Sequence, residues 1–430
     1  MDHHICTVNH PLREVHPVAT NFHRVLRGSG TKPDFLGAIT LSETEENALR
    51  DARNVIRECI RTAFRTVADD SLMAKRLLLN DAPPLYRTDE FLRGFRPTPR
   101  FRGQGSYSYR TLNDPVPQHT PPQHVDLDDG TFLPTSFLSQ SGRPAIAAKA
   151  YFKVIEDALR PLCIQRGWTL CDKGPDCKPS CVRVLLDRKT HIDLPLYAIP
   201  DDDFEKLEKA LHSQGLTMDA AEFGDQVYRS LPEDRIMLAR RDGSWVQSDP
   251  RKLHDWFIGA VSKHNPHLRH VCRYLKAWRD QQWVDPEAGI SSITLMAMAV
   301  TAFEENRRFL DASREDEALI AVADRMPALL KGPIRNPVLP KDPEANLDAD
   351  WTDAARVGFI TAAQKLREAL HEAQSATRAD VALAQLTKCL GKRVPADESL
   401  VDVLASEEET ILARPRTYIP ATVVGRTNSG

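Results

Sequence analysis

The chain of 430 residues has no apolar run long enough to cross a bilayer. The longest of note, Ile293 to Phe303, falls far short of the roughly 20 residues a spanning helix needs. Cysteine is scarce, at 8 residues, and follows no disulfide framework, which points to a reducing cytoplasm. The first residues, Met1 to Asn21, lack the apolar stretch of a signal peptide. Their His3, His4, His10 and His16 read as a polar segment. A surplus of one charge is missing too: 57 Lys and Arg face 60 Asp and Glu, for a net charge of −3. Coating duplex DNA takes a surplus of cations, and so does a polybasic membrane binder, so both are disfavoured. Gly and Pro, at 20 and 30 residues, are too few for collagen or a low-complexity chain.

What remains is globular, with length for two to three domains at about 150 residues each. Ser42 and Glu45 fit a capping box, and Ala48, Leu49, Ala52, Val55, Ile56, Cys59, Ile60 and Phe64 recur at helical spacing behind it. This is a packing helix, a spine for what surrounds it. A second helix is expected over Ala145 to Leu159. Val182 to Leu186 and His191 to Tyr197 read as two strands joined by a polar turn. Beyond residue 235 the pattern turns helical, over Leu253–Val261, Leu268–Arg279, Ser292–Phe303, Glu315–Leu330 and Ala354–Ala373. The layout is an N-terminal segment (1–41), an α+β core (42–235), a helical domain (236–413) and a mobile tail (414–430) ending in Gly430.

The chemistry gathers in three places. Asp126 and Asp128 flank Leu127, and in a strand residues two apart point the same way. Two carboxylates on one face suit a hard divalent cation, although such a pair is more often a solvated loop. In the later strand Ile192, Leu194 and Leu196 alternate with His191, Asp193 and Tyr197, so Asp193 faces away from the apolar side and a neighbouring strand can present the pair to it. His191 shares that face, either to orient Asp193 or as a satisfied structural histidine. Three such carboxylates suit two Mg²⁺ ions roughly 3.5–4 Å apart. Third, Gly105-Ser106 precedes the pair, offering amides and a hydroxyl to phosphate oxygens. Each part alone is weak. In the order Gly-Ser, Asp-x-Asp, single Asp, they form the signature of a polymerase-β-like nucleotidyltransferase.

The runs Gly103–Asn113, Val125–Thr131 and Lys189–Pro200 together resemble the bacterial cGAS/DncV-like nucleotidyltransferases (CD-NTases). The likeness continues through Gln247–Pro250, Asp255–Phe257, Val271–Asp280 and Ser291–Ile293. It implies a bilobed α+β fold: a polymerase-β-like core on a mixed sheet, plus an all-helical C-terminal domain like that of oligoadenylate synthases. It implies that Asp126, Asp128 and Asp193 bind Mg²⁺ (Mn²⁺ as the alternative ion) and that Asp193 helps deprotonate the attacking 3′-hydroxyl. Gly105 and Ser106 would grip the donor triphosphate, Tyr109 would stack on a base, and Lys276 would contact phosphates. Arg183, Ser248 and Ser292 are weaker candidates for phosphate, base or ribose contacts. The substrates implied are ATP and GTP and the product 3′,3′-cyclic GMP-AMP, a messenger of anti-phage defence (CBASS). Its reader would be a phospholipase-like effector, and an E1–E2-like enzyme could conjugate the chain through Gly430. Other cyclic or linear oligonucleotides, and a non-catalytic nucleotide-binding scaffold, are the rivals. Duplex DNA is not expected as activator.

Three features weigh less. Arg269, Arg273 and Lys276 lie opposite the apolar face of Leu268, Val271, Cys272, Leu275 and Trp278, as a solvated basic stripe or as the rim of a phosphate cleft. Tyr107 and Tyr109 diverge on a helix, so one faces a cleft and the other the core. Cys163, Cys171, Cys177 and Cys181 contain no Cys-x-x-Cys pair, so a zinc site is not expected.

Overall fold

The structure is a computed structural model that describes residues 20–404, apart from 29, 70–97, 117–122, 136–143, 175–176, 206–235, 249, 286–287 and 307–312. The tail 414–430, with Gly430, and the N-terminal histidines lie outside the described residues.

In chain order the first elements are β1 (Thr20–Asn21), α1 (His23–Leu26), α2 (Phe35–Ala38) and α3 (Glu43–Asp69). The capping box forms: the Ser42 amide donates to Glu45 Oε2 at 3.0 Å, and the Glu45 amide donates back to Ser42 Oγ at 3.3 Å. There follow β2 (Arg100–Gln104), α4 (Gly105–Tyr109), β3 (Val125–Pro134), α5 (Pro144–Arg166), β4 (Thr169–Cys171), β5 (Cys181–Leu185), β6 (Thr190–Ile199), β7 (Met237–Ala239) and β8 (Trp245–Gln247). The strands build one mixed sheet in the order β2-β3-β6-β5-β4, with β7 on β6 and β8 on β7. Only β3 and β6 run parallel in it; the other pairs are antiparallel.

Period-2 alternation divides this sheet by chemistry. Val125, Leu127, Ile192 and Leu194 enter a core shared with Leu49, Ile56, Ile60 and Phe64 of α3 and Tyr151, Ile155 and Leu159 of α5. Burying one such side chain fully contributes about 1.5–3 kcal/mol, so this apolar face sets the strand register. The opposite face carries the carboxylates.

The second lobe is helical: α6 (Pro250–His264), α7 (His267–Gln282), α8 (Ser292–Asn306), α9 (Glu315–Leu329), α10 (Asp353–Ser375) and α11 (Ala379–Leu390), followed by β9 (Asp402–Val403). The last helix, α11, carries an apolar face that the sequence reading passed over. Two boundaries differ from the sequence expectation. Residues 236–248 hold β7 and β8 and extend the sheet, so the helical lobe starts at Pro250. Phe22, Val25, Leu26, Phe35 and Ile39, grouped by sequence with a separate segment, are buried in the helical core. Their anchor is a buried polar knot. Glu315 accepts from the Tyr274 hydroxyl at 2.6 Å and from Arg27 at 3.1 Å, and stands 2.8 Å from His270 Nδ1. β1 pairs antiparallel with β9, so both ends of the described chain meet on this lobe. Among the described residues no helix is long and apolar enough to cross a membrane.

Candidate active site

Register does most of the assembly. The parallel pairing of β3 and β6 sets Asp126 against His191 and Asp128 against Asp193, and the antiparallel β5 sets Arg183 against Asp193. Paired residues point to the same side of a sheet, so these five groups share one face.

Their contacts are close. Arg183 donates through Nε and Nη2 to both oxygens of Asp193, at 2.7 and 2.6 Å. Such a bidentate pair fixes the carboxylate plane. His191 Nε2 stands 2.9 Å from Asp126 and 4.0 Å from Asp193, so the imidazole serves the first carboxylate, not the one that sequence reasoning assigned to it. Donor atoms of Asp126, His191 and Asp193 all lie within 4.8 Å of one another, a set that suits a divalent cation.

The electrostatics fit that reading. Burial pushes the Asp128 carboxyl well above its ordinary range, and the charges of Asp126 and Asp193 push it further. A cation among the three would relieve that cost. Enclosure also works against a charge on Asp126, but the adjacent His191 and the nearby Arg183 and Lys276 outweigh it and hold that carboxyl low.

Gly105 has φ +59°, in the left-handed region, and a β-carbon there would stand 2.1 Å from Asp128 Oδ2. Only glycine allows the Gly-Ser turn to lie this close to the carboxylate. The short α4 ends at Arg110, itself left-handed at φ 57°, and the turn returns the Thr111 amide to the Ser106 carbonyl at 2.9 Å.

A cavity of about 820 Å³ opens between the lobes, within the range of roughly 300–1,000 Å³ usual for small-molecule sites. Gly105, Ser106, Tyr109, Asp126, Asp128 and Arg183 line it from the sheet side, and Lys276, Arg279 and Ser292 from the helical side. Asp193, buried and bonded to Arg183, is not among the lining residues. Ser292 Oγ accepts from Arg279 at 2.9 Å. Ser248 follows β8, its amide bonded to the Ile236 carbonyl, and is not among the residues that line the cavity.

The basic side of α7 is not a solvated stripe: Lys276 lines the cavity, and the other cations hold the adjoining loop. Arg273 and Lys276 are buried, and Arg269 is half-buried. Arg269 donates to the Tyr109 carbonyl at 2.8 Å, and Lys276 to that of Thr111 at 2.8 Å. Arg273 and Asn113 exchange two hydrogen bonds, Arg273 Nε to Asn113 Oδ1 at 2.9 Å and Asn113 Nδ2 to the Arg273 carbonyl at 2.8 Å. These side chains clamp the segment after the Gly-Ser turn onto the helical lobe. Burial, and then the charge of Arg279, lowers the Lys276 ammonium to about 8.

The two tyrosines part as their spacing requires. Tyr109 lines the cavity with its ring against Phe257 and His254, each 5.9 Å away by centroid, while Tyr107 packs toward the sheet core under Arg53. Cys163, Cys171 and Cys181 are buried as free thiols, and burial raises the thiols of Cys163 and Cys181.

One functional support was missed. Asp129, next to Asp128, faces the other side of the sheet, is fully buried and accepts from Arg57 of α3, with Nε at 2.6 Å. Alternation alone separates Asp129 from Asp126 and Asp128. Arg57 also carries a signal, as a charge inside the otherwise apolar face of α3.

The chain resembles known proteins along both lobes. Residues 99–197 match the family "Cyclic GMP-AMP synthase DncV-like, nucleotidyltransferase domain", and residues 265–403 match "Cyclic GMP-AMP synthase, C-terminal domain". A cyclic GMP-AMP synthase of Vibrio cholerae serotype O1 is 29% identical over 420 residues, spanning 89% of this chain and 92% of the relative. One from Escherichia coli is 33% identical over 310 residues, spanning 63% of this chain and 68% of the relative. The crystal structure of Vibrio cholerae DncV with the linear intermediate 5′ pppA(3′,5′)pG superimposes with a TM-score of 0.71 at 27% identity, covering 90% of this chain and all of that one. The Vibrio cholerae protein with GTP and 5MTHFGLU2 gives 0.71 at 28% identity with the same coverage.

Proposed function

The chain belongs to the DncV-like branch of the CD-NTases, template-independent nucleotidyltransferases, and from that premise we propose that it is a cyclic dinucleotide synthase joining ATP and GTP into 3′,3′-cyclic GMP-AMP. Each of two transfers forms a phosphodiester at a 3′-oxygen and releases pyrophosphate. The observation that carries the reading is the line of Asp126, Asp128 and Asp193 on paired strands, at a cavity that faces Lys276.

Asp126, Asp128 and Asp193 would hold two Mg²⁺ ions, or Mn²⁺. Bound there, the ions would polarise the transferred phosphoryl group and lower the pKa of the attacking hydroxyl. The chain's own residues do the rest. Gly105 and Ser106 grip the donor triphosphate, and Lys276 offsets charge that gathers on it. Tyr109 stacks on a base. Asp193 takes the 3′-hydroxyl proton, and Arg183, which holds both its oxygens, sets where that carboxylate points. Ser292 is held by Arg279 at the wall for a ribose or base contact. Ser248 has no part in this reading.

The work would take place in the cytoplasm, as a CBASS messenger synthase whose product opens a phospholipase-like effector. An E1–E2-like conjugation of Gly430 and independence from duplex DNA complete the proposal. The decisive experiment incubates the chain with labelled NTPs, removes terminal phosphates with a phosphatase and identifies the product by mass spectrometry, then repeats the measurement after nuclease P1, which should open a ring of 3′–5′ bonds. A single species with the mass of cyclic GMP-AMP is expected. A trinucleotide, a cyclic di-adenylate or a linear oligomer alone would refute the product, and Asp126→Asn with Asp128→Asn leaving product formation unchanged would refute catalysis at this site.

A further inference from the structure

Thr111 lines the cavity, is fully buried, and its hydroxyl has no hydrogen-bond partner. Its main chain is already spent: the amide donates to the Ser106 carbonyl and the carbonyl accepts from Lys276. Buried polar groups are nearly always paired, and an unpaired one costs more than its apolar replacement would. Folding alone therefore gives no reason for a hydroxyl at this position.

Lys276 has three N–H donors and gives one of them to the Thr111 carbonyl. The turn that sets Thr111 there runs through the left-handed Arg110, a conformation that a residue with a β-carbon adopts only at a cost. Backbone strain is thus spent on keeping Thr111 between Ser106 and Lys276. The spot offers unused donors from an ammonium and a hydroxyl, and it lies on the wall that also carries Ser106. An anion with several acceptor oxygens matches it.

We propose that the Thr111 hydroxyl binds a phosphate oxygen of the nucleoside triphosphate, together with Lys276. This rests on the reading of the cavity as a triphosphate site. The test uses the full chain with Thr111→Val, which removes the hydroxyl at nearly constant shape, and Thr111→Ser, which restores it. Affinity is measured by calorimetry for a non-hydrolysable GTP analogue and for inorganic tripolyphosphate, and the melting temperature is recorded for each variant.

Thr111→Val should weaken both ligands by about 10- to 100-fold, the value of one hydrogen bond to a charged group. Thr111→Ser should stay within about threefold of the parent, and Thr111→Val should melt no lower than the parent. Equal binding by Thr111→Val and the parent would overturn the proposal, as would a Thr111→Ser variant no better than Thr111→Val. Weakened nucleotide binding with unchanged tripolyphosphate binding would also overturn it, since the hydroxyl would then contact ribose or base. A parent chain that binds neither ligand would instead overturn the triphosphate reading itself.

Discussion

Replacing Gly105 by alanine puts a methyl group where the chain has room for none. The new β-carbon would stand 2.1 Å from Asp128 Oδ2 and 3.1 Å from its Cγ. An unstrained contact needs about 3.5 Å, so the carboxylate must retreat by roughly 1 Å or more, or the turn must open. Asp128 pairs with Asp193 across the strands and cannot move without leaving the line of carboxylates. A displacement of about 1 Å in a catalytic group costs on the order of 100-fold in rate. The left-handed backbone adds a separate penalty of roughly 1–2 kcal/mol for any residue with a β-carbon. Gly105→Ala should therefore lose about two orders of magnitude in kcat for pyrophosphate release and a few degrees in Tm. Gly103 supplies the control: it precedes the same turn, and a β-carbon there meets no atom within 4 Å. Gly103→Ala should keep kcat and Tm near those of the parent. Steady-state kinetics and calorimetric melts of both variants decide it. A Gly105→Ala enzyme within threefold of the parent would refute the argument that this turn must lie against Asp128.

Two further outcomes follow from groups buried around the site. Lys276 is held at about 8, below its ordinary 10.5, so its charge costs stability fully below that value and the cost fades as pH rises toward 10.5; relative to Lys276→Met, the parent should gain roughly 2–3 kcal/mol between pH 7.5 and 10 in urea unfolding, and a pH-independent difference would refute this. Arg57→Met alone leaves Asp129 charged in a dry core and should cost about 3–5 kcal/mol, while adding Asp129→Leu should recover most of it; a single-variant loss under about 1 kcal/mol in the same assay would contradict the buried pair.

Local signals were legible wherever one rule governed them. Helical spacing and a capping box predicted α3, and alternation predicted which side of β6 carries Asp193. Asp126 and Asp128 were paired by the same period. Where two segments must meet, the sequence pattern was silent. The basic positions of α7 looked like a stripe because periodicity separates polar from apolar but cannot say that a loop covers the polar side. Arg269, Arg273 and Lys276 in fact bury themselves against residues 109–113. His191 was expected beside Asp193, since both lie on β6, yet the parallel register brings Asp126 closer.

The sequence by itself determined the long helices, the strands β3, β5 and β6, the faces that carry Asp126, Asp128 and Asp193, and the residues able to carry phosphate and metal chemistry, because these follow from backbone periodicity and side-chain chemistry over a few residues. Tertiary structure decided the rest. It paired Arg183 with Asp193, sealed Asp129 under Arg57 and placed Phe22, Val25, Leu26, Phe35 and Ile39 in the helical core. Each of these depends on how distant segments meet, and that is settled by burying apolar area over the whole fold, which no local pattern encodes.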